Sequence, residues 1–162
     1  MNKRVMGLLG LLAMAAMLLT GCQAPLSAEA QAEAEVAAAI PVDLEIREKM
    51  FIAQSNDVYL NAPDYLGKTI KYEGMFFASY YEPTDSMYYS VIRYGPGCCG
   101  TDGNAGFEVV WDEGQFETPE DNDWVEVIGV LEEYEELGAR YLRLRVLSMR
   151  EMGVRGAETV LQ

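Results

Sequence analysis

Residues 124–149 read WVEVIGVLEEYEELGARYLRLRVLSM, and this stretch decides the fold. Val125, Val127, Gly129 and Leu131 recur at every second position, as do Leu142, Leu144 and Val146. A period of two places each set on one face of a β-strand. The spacing predicts two strands, Trp124 to Glu132 and Arg140 to Met149, joined as a hairpin. Pairing Leu131 with Leu142 sets Gly129 against Leu144, Val127 against Val146 and Glu133 against Arg140. The loop then falls at Glu135–Gly138. A slip of one residue would drive Arg143 and Arg145 into the core, where an unpaired charge is costly. The two arginines are therefore expected to face water or nearby glutamates.

Upstream the same alternation continues. Ile70, Tyr72, Gly74 and Phe76 alternate with Lys71, Glu73 and Met75 from Lys68 onward. Met87 to Tyr94 and Gly106 to Trp111 are rich in aromatic and β-branched residues, as strands are. The lone glycines Gly74 and Gly129 signal sharp bends or close packing. Five bent strands between Lys68 and Met149 predict a mainly β domain, a small five-stranded OB-like barrel. An open sheet and a sandwich-like half-barrel are the alternatives. One helix is expected to precede the barrel within residues 42–61, carrying Met50, Phe51, Ile52, Val58 and Tyr59. The alternation Val42-Asp43-Leu44-Glu45-Ile46 suggests a short strand before it. Asn61-Ala62-Pro63-Asp64 reads as a stop and turn.

The N-terminal end carries an address. Lys3 and Arg4 precede an apolar run from Val5 to Leu19, shorter than the roughly 20 residues of a spanning helix. The run ends in Leu19-Thr20-Gly21-Cys22, which resembles the lipobox of bacterial lipoproteins. That resemblance implies acylation of the Cys22 thiol and cleavage just before it. The expected organisation is a signal peptide over 1–21, an Ala/Glu-rich tether over 22–41, the β domain over 42–150 and a tail over 151–162. Removal of Lys3 and Arg4 takes the formal charge from −14 to −16. An anionic membrane surface repels such a chain, so the lipid on Cys22 must hold it, on the extracytoplasmic face of the cell membrane.

Composition narrows the chemistry. The chain has no histidine, which excludes Ser-His-Asp triads, Cys-His pairs and His-ligated metals. With 12 Lys+Arg against 26 Asp+Glu, binding to a nucleic-acid backbone is not expected. Gly95-Pro96-Gly97-Cys98-Cys99-Gly100-Thr101-Asp102-Gly103-Asn104-Ala105-Gly106 is the most unusual stretch, and reads as a loop between strands. It contains the string GxGxxG, but a strand follows instead of a helix, so no nucleotide is expected. Three readings of Cys98-Cys99 stand open. With Asp102 the pair forms a set of soft and hard ligands for zinc or another thiophilic metal, one short of tetrahedral. Glu108, Asp112, a backbone carbonyl or water would complete it. Alternatively, the adjacent cysteines close a strained, easily reduced disulfide. In the third reading they simply pack a tight turn.

Tyr65-Leu66-Gly67-Lys68-Thr69-Ile70, Glu73-Gly74-Met75-Phe76, the Arg93–Asp102 stretch and Trp124-Val125-Glu126-Val127-Ile128-Gly129 together resemble the extracytoplasmic C-terminal domain of the YcgQ-like proteins. These are uncharacterised bacterial membrane proteins, often encoded beside a predicted permease. The likeness covers roughly residues 44–150. The family runs Cys-Cys-x-Ala-Asp-Ala where this chain has Cys98-Cys99-Gly100-Thr101-Asp102-Gly103, so both cysteines and the aspartate carry over and both alanines do not. A lipobox stands where the family has membrane-spanning helices. The resemblance favours a metal or thiol role and allows a permease-like membrane partner.

The acidic groups Asp112-Glu113, Glu117 to Asp123 and Glu132 to Glu136 are expected at solvated turns. Tyr80, Tyr81, Tyr88 and Tyr89 cluster around a predicted hairpin and form a possible partner surface. No nucleophile–base pair is visible, so an enzyme is not expected. Two functions remain. One is a lipid-anchored module that binds a thiophilic metal, or senses redox state, through Cys98, Cys99 and Asp102. The other is a metal-free interaction module docking a membrane protein or an envelope polymer.

Overall fold

The computed structural model describes residues 28–97 and 100–161. Helix α1 is Ala28–Ala39. Strand β1, Leu44–Glu45, leads through a 3-10 turn, Glu48–Met50, into α2, Phe51–Leu60, and the short α3, Ala62–Tyr65. Five long strands follow: β2 Thr69–Tyr81, β3 Ser86–Gly97, β4 Gly100–Val110, β5 Trp124–Glu136 and β6 Ala139–Glu151.

These five close into a barrel. β2 pairs antiparallel with β5 through Thr69–Met75 and with β3 through Met75–Tyr81. β3 pairs with β4, β4 runs parallel to β6, and β6 returns to β5. Counting from β2, the order round the barrel is first, second, third, fifth, fourth, and back to the first. This is the OB arrangement expected from the alternation. The first half of β2 and the second half pair with different neighbours, so the strand must bend at its middle. Gly74 sits there. An added Cβ would lie 2.7 Å from the Ile92 carbonyl oxygen and 3.0 Å from Val91 Cγ1.

The residues that alternate in sequence line the interior. Ile70, Tyr72, Phe76, Val125, Val127, Leu131, Leu144 and Val146 are all buried. Phe51 and Val58 of α2 close one end of this core. Tyr72 crosses it, donating its hydroxyl to the Val91 carbonyl at 2.8 Å and accepting the Phe107 N–H at 3.2 Å. Its ring meets Phe51 and Phe107 edge-on at 5.8 Å. Burial holds this phenol far above its ordinary pKa.

Arg93 is the one arginine drawn into the interior among the described residues, at 3% exposure. Its guanidinium lies 5.0 Å from the Phe51 ring and 4.7 Å from the Trp124 ring. It donates to the Glu73 carbonyl at 2.8 Å, the Ala157 carbonyl at 3.1 Å and the Glu48 carboxylate at 3.1 Å. The chain after β6 is held by this cluster. Tyr94 N–H reaches the Glu158 carbonyl at 2.8 Å, and Val160 N–H reaches the Tyr94 carbonyl at 2.9 Å.

Three expectations need correction. First, from Gly129 to the turn the hairpin register is shifted by two, so that Leu131 faces Leu144, Glu133 faces Leu142 and Glu135 faces Arg140. Beyond an irregularity between Ile128 and Gly129 it is shifted by three, with Val127 facing Met149. The turn is only Leu137-Gly138, tighter than a loop over Glu135–Gly138. A shift of two keeps every side chain on its face, which is why the burial pattern held while the pairing did not. Second, most of the Gly-rich stretch is strand and not loop. β3 and β4 extend through it and remain paired as far as Gly97 with Gly100. Third, Glu132 to Glu136 does not sit at a turn but forms the end of β5. The expected pairing of Arg143 and Arg145 with glutamates holds. Both reach Glu132, at 2.6 Å and 3.1 Å.

Leu137 adopts φ 51° and Gly138 φ 81°, the pair of left-handed residues that a two-residue hairpin turn demands. Leucine is poorly suited to it, and its side chain is exposed. Leu137→Asn should stabilise the domain by about 1 kcal/mol, read as a higher urea midpoint with unchanged slope. A lower midpoint would show that this turn is not under backbone strain.

Candidate functional site

Two places concentrate chemistry. The first is the far end of the β3–β4 hairpin. Gly95 pairs with Gly103 and Gly97 with Gly100, with a bulge between. Asp102 belongs to β4, two residues beyond Gly100, and its side chain lies outside the described atoms. Cys98 and Cys99 lie outside the described residues, as does Cys22. Two of the suggested additional ligands are removed by the strand itself. Glu108 stands six residues along β4 from Asp102, a distance of about 20 Å at strand rise, and Asp112 lies farther still. Neither can share an ion with Asp102. Among the described residues no group of three Cys, Asp or Glu side chains is placed to hold a metal ion.

The second place is a cleft of about 480 Å³ on the barrel wall, lined from β3, β4, the 111–118 segment, β5 and β6. It exists because β4 and β6 pair only through Glu108–Val110, leaving β5 and β6 to run on as a free hairpin beside it. Tyr134 donates its hydroxyl to Glu108 Oε2 at 2.6 Å. Tyr88 donates to Glu136 Oε1 at 2.7 Å and touches Thr84 Oγ1 at 2.8 Å. Arg143 lies 4.4 Å over the Tyr134 ring, with its Nε on Glu132. Tyr89 and Trp111 form the apolar wall, their rings 4.9 Å apart.

Glu108 is the outlier among these acids. Burial pushes its carboxyl above the usual carboxylate range. The Tyr134 hydrogen bond and the Arg143 charge pull the other way without cancelling the shift. It also borders a second cavity of about 460 Å³ with Tyr59 and Tyr141. Burial and the nearby Glu108 charge raise the Tyr59 phenol to about 12. Glu132 behaves oppositely. Its partial burial opposes ionisation, but Arg143 and Arg145 outweigh it and lower its pKa.

The four tyrosines singled out in the sequence do not form one surface. The register puts Tyr81 and Tyr88 on one face of the β2–β3 hairpin and Tyr80 and Tyr89 on the other. Tyr81 meets Tyr88 edge-on at 6.2 Å. Tyr80 is 59% exposed and bonds Asp85 at 2.7 Å, whereas Tyr89 stacks on Phe76. Only Tyr88 and Tyr89 reach the cleft. Sequence reading missed Glu108, Trp111, Tyr134, Glu136 and Arg143 as one group. The alternation Glu132-Tyr134-Glu136 was the available signal, since it sets these three on one face.

The sign of the Glu108 shift gives a test. A carboxyl whose folded pKa is raised adds stability below its unfolded value and loses it as pH rises through the folded value. Glu108→Gln keeps an acceptor for Tyr134 and removes the charge. Its thermal midpoint should exceed that of the native chain at pH 7, and the difference should vanish below the ordinary carboxylate pKa. A lower midpoint at pH 7 would show that Glu108 is stabilised by its surroundings.

Among the described residues no helix is long and apolar enough to cross a membrane. The DUF1980 C-terminal domain model matches residues 25–154, and the chain belongs to that uncharacterised family. No curated protein and no solved structure matches the chain.

Proposed function

We propose that this member of the DUF1980 C-terminal domain family is a lipid-anchored, extracytoplasmic and non-enzymatic module that binds a thiophilic metal such as zinc through Cys98, Cys99 and Asp102. The hairpin register carries the reading. Pairing of Gly97 with Gly100 and of Gly95 with Gly103 brings the backbone of Asp102 back beside the residues that flank the cysteine pair. The pairing carries a register irregularity between Gly95 and Gly97, and bulges are common beside ligand sites. Two thiolates and a carboxylate leave one position, which a backbone carbonyl, water or a partner fills. In this reading Cys22 supplies the anchor and residues 23–41 the tether.

The donor set fits a closed metal site better than a catalytic one. With no histidine and no base beside the cysteines in sequence, the loop offers affinity and no proton relay. Metal binding would release thiol protons, so its affinity should rise with pH.

The exposed Tyr80 and Tyr81, at 59% and 47%, favour a second reading. In it the β2–β3 edge docks a membrane protein, such as a permease, or an envelope polymer, and no metal is bound.

Elemental analysis and thiol counting separate the two. The full chain, purified in detergent under reducing, anaerobic conditions without chelator, should carry about one zinc or similar ion per molecule, with both loop thiols protected. Cys98→Ser and Cys99→Ser should each lower the metal content at least about tenfold while the circular dichroism stays unchanged. Metal-free protein with two free thiols would leave the docking module. Metal-free protein with a vicinal disulfide would leave a redox switch.

A further inference from the structure

We propose that the cleft between β3, β4 and the β5–β6 hairpin binds a small organic ammonium ion, held by Glu108 and Glu136 against the rings of Tyr88 and Trp111. This site is separate from the cysteine loop and does not depend on a metal there. Its volume of about 480 Å³ lies within the range of small-ligand sites.

Charge points to the ligand class. Glu108, Glu113 and Glu136 line the cleft, and Arg143 is the one cation among its described lining residues. That arginine ion-pairs with Glu132 through its Nε at 2.6 Å, and its charge offsets only part of what burial does to Glu108. The donors that orient the two inner carboxylates are neutral phenols, Tyr134 on Glu108 and Tyr88 on Glu136. A phenol fixes a carboxylate in place but does not neutralise it. Each carboxylate keeps lone pairs for further N–H donors. Burial raises the Glu108 pKa, and neither the Tyr134 hydrogen bond nor the Arg143 charge cancels that shift.

The aromatic rings point the same way. An ammonium ion is drawn to the faces of tryptophan and tyrosine as well as to carboxylates. Arg143 over Tyr134 already shows that such a ring accepts a cation here. An anion would meet three carboxylates. A neutral sugar would stack but leave Glu108 uncompensated.

Trp111 provides the readout, because the chain has two tryptophans and the other, Trp124, is buried beside Arg93. The full chain in detergent would be titrated with cadaverine, and separately with the neutral disaccharide cellobiose. Saturable quenching by cadaverine is expected with a midpoint below about 1 mM, weakened at least about tenfold by Glu108→Gln. Glu117→Gln, outside the cleft, should leave it unchanged. Calorimetry of a Trp111→Phe variant gives a second measure, with affinity expected to fall severalfold; this keeps the test open if Glu108→Gln does not fold. No saturation by about 10 mM cadaverine would overturn the proposal. So would equal affinity in native and Glu108→Gln proteins, or cellobiose binding as tightly as the amine.

Discussion

Everything in this domain hangs on β2 serving two neighbours. Its first half pairs with β5 and its second half with β3, and the exchange occurs at Met75. A straight strand cannot do this while keeping one face in the core. The chain turns at Gly74, where the Ile92 carbonyl lies so close that a side chain would collide. Once β2 bends, the sheet meets itself and the barrel closes. Closure then forces β4 and β6 into a short parallel contact and leaves the β5–β6 hairpin projecting beside β3. The cleft is the space that this geometry leaves.

Charge is distributed around that frame in a consistent way. Glu126 is buried between Lys71 and Arg150, both at 2.8 Å, and these cations hold its pKa down despite its burial. Glu132 draws Arg143 and Arg145, and Glu48 draws Arg93. The strongly acidic chain has few cations, and the frame uses these to satisfy strands and the C-terminal segment. Within the cleft, Glu108 and Glu136 take their hydrogen bonds from phenols and not from cations. A site that costs stability at neutral pH is a frequent mark of function, because binding groups are placed for the ligand and not for the fold.

The cysteine loop and the cleft lie at opposite ends of β4. About 20 Å of strand separates Asp102 from Glu108, so the two cannot merge into one site. They can still be coupled through the strand they share. Gly106, between them, adopts φ 142°, and an added Cβ there would lie 2.1 Å from the Val91 carbonyl oxygen. The strand is therefore tightly seated against β3 at its midpoint, which favours rigid rather than hinged communication.

Period-two alternation determined much of this protein by itself. It located all five strands, named one face for the first and for the last two, and pointed to the bend at Gly74, because a strand has only two faces and water sorts residues between them. The lipobox-like end, the missing histidine and the paired cysteines were equally legible, being local features. The hairpin register was not, since a shift of two residues leaves each face unchanged and the sequence offers no penalty against it. Nor was the grouping of Glu108, Trp111, Tyr134, Glu136 and Arg143. Those residues span 36 positions and meet only because β4 and β6 run parallel after closure. Which acids find arginines and which find tyrosines is a property of that meeting, and only the tertiary structure decided it.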